Sequence, residues 1–121
     1  MKSIMRAKAN LYPNCGELIE HDMHTDYNFE HQAAIFYINT NNGYTKLKDG
    51  TKIESIANRV LIFKGNDLHC STTCTDQQAR ININFNYFYQ FISAKQSLRW
   101  QPLIEVMRHA ISASKRTTIS Q

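Results

Sequence analysis

Two histidines, one aspartate and one arginine are the residues of this sequence whose types and spacing could do chemistry. His24 and Asp26 are two residues apart, and a lone His69 precedes Arg80 by eleven positions. If residues 24–26 are extended, the first and last side chains share one face, because side chains of a strand alternate with period two. Two imidazoles and a carboxylate on one side of a metal leave its other positions open, which is the facial arrangement of non-haem Fe(II) sites. A redox enzyme is therefore the leading hypothesis.

Short extended segments, separated by turns, must position these residues. Apolar, aromatic and β-branched runs alternate with turn signals such as Asp49-Gly50, a strong hairpin sequence. The pattern predicts about eight strands, at residues 7–12, 18–26, 33–38, 44–48, 51–56, 59–63, 68–74 and 79–89. Strands at this spacing are typical of a sandwich or barrel, so we expect a mostly β fold.

The last predicted strand has two chemically opposite faces. One face carries Arg80 followed by Asn82, Asn84 and Asn86, while the other carries apolar side chains that begin with Ile81. Because the side-chain period of a strand is two, all the polar side chains meet one environment and all the apolar side chains meet another. We expect the polar face to look into a cavity and the apolar face to lie against a cover outside the barrel.

Length and charge restrict the classes of protein that remain. A chain of 121 residues with 42% hydrophobic content indicates one domain. The net charge of +4 lies in the tail, because residues 1–88 contain nine basic and nine acidic residues, while residues 89–121 contain five basic residues against Glu105 alone. Charges spread in this way are typical of a solvated surface, so a nucleic-acid partner is not expected. Without a membrane span or a secretory signal in the sequence, we expect a cytoplasmic protein with no membrane contact.

The cysteines and the remaining histidines offer competing interpretations. Three thiols in a reducing compartment are predicted to be free, at Cys15, Cys70 and Cys74. A structural zinc site would need these cysteines near His69, but no C-x-x-C pair occurs and alternation directs His69 away from Cys70. A nucleophile elbow and a phosphate-binding glycine loop are also missing from the sequence. We interpret three further histidines as surface residues: His21, His31 and His109.

Over roughly residues 4 to 88, the sequence resembles the 2-oxoglutarate- and Fe(II)-dependent dioxygenases, specifically the prolyl-4-hydroxylase-like branch and its small phage-encoded forms. An H-x-D motif, a distal histidine and a following arginine carry the resemblance, each in a matching strand context. The matching segments are residues 8–13, 24–26, 35–39, 58–63, 68–69 and 80–83. The resemblance implies a double-stranded β-helix, which is a jelly-roll, cupin-like fold, and for a phage-encoded form a location in the host cytoplasm.

The same resemblance implies a role for each matching residue. His24, Asp26 and His69 would bind Fe(II), with 2-oxoglutarate and O₂ taking the remaining positions. Arg80 would hold the distal carboxylate of 2-oxoglutarate, which suits a guanidinium because its fork of donors matches a carboxylate. The cosubstrate pocket would be completed by Tyr12, Tyr37 and Asn82.

The implied activity is hydroxylation of an unactivated C–H bond. A prolyl-type residue of a protein or peptide is the favoured substrate, and ascorbate is an accessory reductant in the expected cofactor set. The alternative is a truncated, non-catalytic jelly roll that binds a metal or a partner without turnover. An intact set of catalytic positions favours the enzyme, whereas a core that begins within the first ten residues favours the alternative.

The two ends of the chain depart from the family pattern. Relatives usually carry helices and strands ahead of the first core strand, so the apolar outer face of this sheet would be uncovered. We expect a core domain over residues 1–90 and an extension over residues 91–121. Within the extension, Pro102 can start a helix near residues 102–112, with a disordered basic tail beyond it. This helix could cover the sheet, or a homodimer could form through the same apolar face.

Overall fold

The computed structural model describes residues 3–88, which form two antiparallel β-sheets. The strands are β1 (Ser3–Pro13), β2 (Gln32–Tyr37), β3 (Tyr44–Leu47), β4 (Lys52–Glu54), β5 (Val60–Lys64), β6 (His69–Ser71) and β7 (Ala79–Phe88). The larger sheet has the order β1-β7-β2-β5 and the smaller one β4-β3-β6. The all-β class is thus confirmed for these residues. The predicted helix near residues 102–112 and the basic tail lie outside them.

The long strands β1 and β7 pair along almost their whole length. Tyr12 lies opposite Arg80 and Lys8 lies opposite Asn84, in an antiparallel register that is irregular only between Ile4 and Arg6. Residues directly opposite each other in such a pair point to the same side of the sheet. Beyond this irregularity, the even-numbered residues from Arg6 to Tyr12 and from Arg80 to Asn86 therefore share one face.

That shared face points into the sandwich, as alternation along β7 predicts. Arg80 and the three asparagines that follow it at alternate positions are buried, whereas Ile81, Ile83 and Phe85 on the opposite face are only half-buried. The interior of the larger sheet is therefore lined by a guanidinium and a row of amides. Side chains of this kind are retained inside a protein when hydrogen bonds satisfy them.

The segment predicted as a strand over residues 18–26 is not one, and that prediction was wrong. It pairs with the smaller sheet at two isolated bridges only, Glu20 with Thr72 and His24 with His69. The reason is that the segment buries no apolar face, since its apolar side chains remain exposed: Leu18, Ile19 and Met23. Without an apolar face to bury, a continuous ladder has little to stabilise it.

The apolar part of the core is small and centred on β2. Residues Ala33 to Tyr37 are buried, and the strand lies between β7 and β5. The Tyr37 hydroxyl donates to Thr45 Oγ1 at 2.8 Å, which joins the two sheets. Among the described residues, more polar than apolar side chains are buried. The space between the sheets is therefore a polar cavity. In this part of the chain, no helix is long and apolar enough to cross a membrane.

Candidate metal centre

Backbone pairing brings two distant histidines to one place. His24 and His69 form an antiparallel bridge with N–H···O=C hydrogen bonds of 2.9 Å in both directions. Two residues later the Asp26 amide donates to the Gly65 carbonyl at 3.1 Å. His69 opens β6, whereas His24 and Asp26 lie in the irregular segment between β1 and β2. Three side chains from two segments therefore converge, although the H-x-D motif is not in a regular strand.

The ligand atoms of these three side chains all lie within 4.8 Å of one another. Asp26 Oδ1 is 3.6 Å from His69 Nε2 and 3.9 Å from His24 Nε2. Adjacent ligands around an octahedral ion are about 3 Å apart, because metal–nitrogen bonds are about 2.1 Å long. The side chains must close slightly around an ion. His24 can do so, because its side chain is 54% exposed, while those of Asp26 and His69 are 4% exposed.

Both imidazoles present the nitrogen that a metal needs. His69 Nδ1 lies 2.9 Å from the Asp67 carbonyl oxygen, and His24 Nδ1 lies 3.2 Å from the Asp22 carbonyl oxygen. A carbonyl oxygen only accepts, so Nδ1 carries a proton in both contacts, and in the neutral ring Nε2 is left with its lone pair. A hydrogen bond at the far nitrogen also orients the ring of a metal ligand.

The two oxygens of Asp26 have separate tasks. Oδ2 accepts from Asn86 Nδ2 at 2.7 Å and from Asn84 Nδ2 at 3.0 Å, whereas Oδ1 faces the two imidazoles. The amides hold one oxygen and leave the other for an ion, which makes the carboxylate a one-oxygen ligand. Asn84 Oδ1 is buried without a hydrogen-bond partner in the described structure. The Asn84 amide thus keeps its hydrogen bond to Asp26 although its own oxygen stays unpaired, which costs free energy.

Asp26 and His69 each favour the charged form of the other. Burial alone would raise the pKa of Asp26, but hydrogen bonds from His69, Asn86 and Asn84 hold that pKa well below its usual range. Burial likewise opposes the charge on His69, yet its hydrogen bond to Asp26 leaves the His69 pKa above 6.5. A metal ion at this position takes the place of the imidazolium proton as the partner of the carboxylate.

A cavity of about 70 Å³ opens beside the three ligands. This volume has room for about five water-sized groups, since one water needs about 10–15 Å³. Thr45, Cys70 and Ser71 line the side formed by the smaller sheet. The other wall consists of alternate residues of β1 and β7: Arg6, Lys8, Asn10, Tyr12, Asn82 and Asn84.

Arg80 lies beneath this cavity and is fully buried. Its guanidinium donates to the hydroxyl oxygens of Ser55 at 2.7 Å, Thr45 at 3.1 Å and Ser71, and to the Thr72 carbonyl at 3.4 Å. None of the carboxylates in residues 3–88 forms an ion pair with it. Burial lowers the pKa of Arg80 from its usual value, but a guanidinium remains charged in proteins. A buried cation held only by neutral oxygens is costly without an anion close by.

No protein-family profile matches the sequence, and no curated protein matches it either. Solved structures do match. A cupin protein from Bacteroides fragilis is similar over 73% of this chain and 69% of its own, with 14% identity and a TM-score of 0.54. An RmlC-like cupin protein from Desulfovibrio desulfuricans is similar over 69% of this chain and 77% of its own, with 16% identity and a TM-score of 0.50.

The fold is cupin-like. A prolyl-4-hydroxylase from Pseudomonas putida is also among the matches, with 15% identity, a TM-score of 0.49 and coverage of 69% of this chain and 52% of that one. At these identities the comparisons establish the jelly-roll fold alone. The chemistry of the cupin-like fold must be argued from its own side chains.

The structure brings together most of the residues singled out from the sequence. His24, Asp26 and His69 form a group that could hold a metal ion. Tyr12 and Asn82 line the adjoining cavity, where Asn82 Oδ1 accepts from Asn10 Nδ2 at 3.0 Å. The other two residues predicted to bind the cosubstrate, Arg80 and Tyr37, are not among those that line the cavity. Arg80 and Tyr37 lie behind Thr45, with the guanidinium carbon 5.5 Å from the centre of the Tyr12 ring and 5.7 Å from that of Tyr37.

Sequence reasoning missed the contribution of β1. Arg6, Lys8 and Asn10 all line the cavity, and the side chain of Arg6 contacts Asp26 Oδ1 at 3.6 Å. The signal that could have found them is the alternation of Arg6, Lys8, Asn10 and Tyr12, which is the same period-two pattern that identified the polar face of β7.

His31 was also misinterpreted, because it is buried rather than at the surface. Its Nδ1 contacts the Phe29 carbonyl oxygen at 2.8 Å, and its Nε2 accepts from Asn86 Nδ2 at 3.2 Å. Gly65 lies against the ring so closely that a Cβ there would clash with Nε2. The imidazole thus supports an amide that holds Asp26, a contact between distant residues that no local pattern predicts.

The zinc alternative finds no support in the described part of the chain. The one group of three metal-competent side chains there contains no cysteine. Cys70 is buried beside the cavity with a free thiol, and it lies opposite Lys46 in the register of the smaller sheet. His69 is the preceding residue of the same strand, so alternation places the two side chains on opposite faces, as predicted. Cys74 is buried and Cys15 is exposed, and both thiols are free as well.

Proposed function

We propose that this protein is a 2-oxoglutarate- and Fe(II)-dependent dioxygenase that hydroxylates an unactivated C–H bond. One observation carries the proposal: two imidazoles and a one-oxygen carboxylate meet beside a small polar cavity that has a buried guanidinium without a carboxylate partner beneath it. The first part fits a metal with open positions. The second fits a ligand that brings its own carboxylate. The resemblance of the sequence to these dioxygenases supports the same assignment.

His24, Asp26 and His69 would hold Fe(II), and their chemistry fits the ion. Neutral imidazole nitrogens and a carboxylate oxygen on one side are a donor set that non-haem iron accepts, and the hydrogen bonds at each Nδ1 fix the rings for it. When bound with 2-oxoglutarate, the metal supplies oxidation by O₂, in which one oxygen atom enters the C–H bond and the other enters succinate as CO₂ leaves. The chain supplies the orientation and the cavity.

Hydroxyl groups between Arg80 and the cavity would contact the distal carboxylate of 2-oxoglutarate. Thr45 Oγ1 accepts from both Tyr37 and Arg80, and Ser71 Oγ accepts from Arg80. Neither hydroxyl donates to another described residue, so each proton can be donated into the cavity that both residues line. The guanidinium polarises these hydroxyls and supplies the compensating positive charge from behind. The Tyr12 hydroxyl could add a third donor.

The substrate in this proposal is a prolyl-type residue of a protein or peptide, with ascorbate as accessory reductant. Both come from the sequence resemblance. The homodimer through the outer sheet face and the cytoplasmic location stay predictions of the sequence.

Anaerobic addition of Fe(II) and 2-oxoglutarate tests the proposal. The expected result is a metal-to-ligand charge-transfer absorption that Asp26→Ala abolishes. Asp67→Ala is the matched control, because it removes an exposed carboxylate that pairs with Lys48 while keeping the backbone carbonyl that orients His69. Succinate formation after O₂ is admitted would add turnover to binding. Metal binding without the absorption band would instead favour the non-catalytic metal-binding jelly roll.

A further inference from the structure

Two cations on the edge strand β1 are not used by the proposed function. Arg6 and Lys8 line the cavity at the end where the metal ligands lie, whereas Arg80 lies beneath the other end. In the register of the sheet they lie opposite Asn86 and Asn84, the two amides that hold Asp26. Both are accessible, since the Arg6 side chain is 36% exposed and Lys8 is exposed. They form a basic rim beside the open face of the metal centre.

Arg6 is held in place by three contacts. Its Nε donates to Asn86 Oδ1 at 3.2 Å, its Nη2 lies 3.6 Å from Asp26 Oδ1, and its guanidinium carbon lies 5.2 Å from the centre of the Tyr27 ring. The third contact is a cation–π arrangement that keeps the side chain over the ring. A guanidinium fixed in this way can present its remaining donors to a ligand with little loss of rotamer freedom.

Lys8 has no hydrogen bond or ion pair with any residue between 3 and 88. Its neighbour across the sheet, Asn84, is occupied with Asp26. A flexible ammonium at the rim of a cavity is therefore available to a ligand, and it lies on the same face of β1 as Arg6.

The charge balance of the cavity requires an anion. Asp26 is the one carboxylate among the described residues that line it, against the cations Arg6 and Lys8 on its wall and Arg80 beneath it. A divalent metal adds two positive charges, and the two carboxylates of 2-oxoglutarate compensate only those two. A net positive potential remains at the rim, in a site where solvent screens charges less than in bulk water. Binding of an anionic group there would be favoured.

We propose that the substrate carries a carboxylate next to the C–H bond that is oxidised, and that Lys8 and Arg6 bind it. This inference depends on the proposed function for the oxidation itself, but the anion site does not. The carboxylate belongs to a free small acid or to an acidic residue of a peptide, since the rim recognises the same group in both. Arg6 contacts the substrate and Asp26 together, so it couples the position of the carboxylate to the metal centre.

Calorimetric binding to the full chain, loaded with Mn(II) and 2-oxoglutarate, tests this proposal without turnover. Two matched pairs of probes separate the sources. N-acetylproline and N-acetylprolinamide differ only in the free carboxylate, and a capped peptide with proline between two glutamates is compared with its glutamine twin. The carboxylate member of at least one pair should bind about tenfold more tightly, which is the range of a charge-assisted hydrogen bond. The pair that discriminates identifies the source.

Lys8→Gln should remove most of this preference, and Lys64→Gln should leave it unchanged. Lys64 is an exposed residue of β5 that does not line the cavity, so the control has the same change in charge. Added salt should weaken the preference of the natural chain, because exposed charges are screened. Equal binding within both pairs, no binding of any probe, or an equal loss in the two variants would overturn the proposal. Tighter binding of a thymidine oligonucleotide than of every carboxylate would also overturn it.

The two proposals fail in different ways. A chain that shows the charge-transfer absorption but does not discriminate within either pair keeps the dioxygenase assignment and loses the acidic substrate. A chain that discriminates without that absorption keeps the anion site and loses the dioxygenase assignment.

Discussion

The two ends of the cavity achieve their geometry in different ways. At the lower end, Arg80 is fully buried near the start of the regular strand β7, and four donor contacts to oxygens hold its guanidinium. At the upper end, His24 and Asp26 lie on an irregular segment, and the His24 side chain is more than half exposed. The lower end is set by the fold before any ligand binds. The upper end would be completed by the ion that its three side chains could hold.

The lower end therefore depends on the stability of the sheet, whereas the upper end depends on side chains that can still move. Groups held by a sheet register can be aimed accurately but cannot adjust, whereas a ligand on an irregular segment can close around an ion. Asp26 combines both properties, because its backbone is irregular and its Oδ2 is held by two amides of β7. The carboxylate therefore links the rigid sheet to the adjustable histidine.

The largest effect is expected at the lower end. Replacing Arg80 by Met should raise the dissociation constant of 2-oxoglutarate about a hundredfold, because it removes the positive charge that polarises the Thr45 and Ser71 hydroxyls and compensates the distal carboxylate. Co(II) affinity, measured by visible absorption, should stay unchanged because the metal ligands lie at the other end. Ser71→Ala keeps the guanidinium and removes one proposed donor, so about a tenfold loss is expected.

Arg59→Met is the matched control for the arginine. It makes the same substitution at a residue that donates to the Glu54 carbonyl and does not line the cavity. A loss of 2-oxoglutarate binding in this control, or normal binding in both Arg80→Met and Ser71→Ala, would contradict a carboxylate site at the lower end.

Substitutions of two asparagines of β7 test whether these amides support the metal centre or only the fold. Asn86→Ala should lower Co(II) affinity about tenfold or more, because it removes a hydrogen bond to a ligating carboxylate. Asn82→Ala makes the same change four residues away on the same face, where the side chain bonds Asn10 rather than Asp26. Equal losses of metal affinity in the two variants would show that both act through the fold.

The regular strand β7 could be predicted from the sequence, whereas the irregular segment around His24 could not. The polar face of β7 is readable because a period-two pattern of unlike residues has only one arrangement in a strand. The meeting of His24 with His69 was also expected, but not the irregular backbone that permits it, since the bridges depend on β6 more than 40 residues later. The role of His31 depends on Gly65 and Asn86, which only the folded chain brings together.

A smaller effect is expected where the two sheets join beneath the cavity. Tyr37→Phe removes the hydroxyl that donates to Thr45 and should lower the free energy of unfolding by about 1 kcal/mol, the usual value of such a bond. Tyr44→Phe is the control, because its hydroxyl donates to Glu20 at the surface and should contribute less. Denaturant unfolding of the two variants measures the difference. A larger loss in Tyr44→Phe would show that the buried hydroxyl does not join the sheets.

The smallest effect is the pH dependence of the metal-free protein. The pKa of Asp26 is lowered from 3.8 on folding, so its stabilising contribution is present above pH 3.8 and is lost as the pH falls further. The pKa of His69 is raised from 6.5, so its contribution is present below pH 6.5 and is lost as the pH rises through the higher folded value. Denaturation midpoints in the presence of a chelator should therefore be highest between these two values.

Two further measurements distinguish the titration of Asp26 and His69 from that of the other titrating groups of the chain: one uses a variant of Asp26, and the other adds metal. Asp26→Asn should flatten both sides of the profile, because the amide can neither hold the imidazolium nor lose a charge of its own. Metal should restore stability on the alkaline side, since the ion binds the neutral imidazole that the rising pH produces. A profile that keeps its shape in Asp26→Asn would place the titration elsewhere. The adjustable upper end would then owe its geometry to the backbone bridge of His24 and His69 rather than to the charged pair.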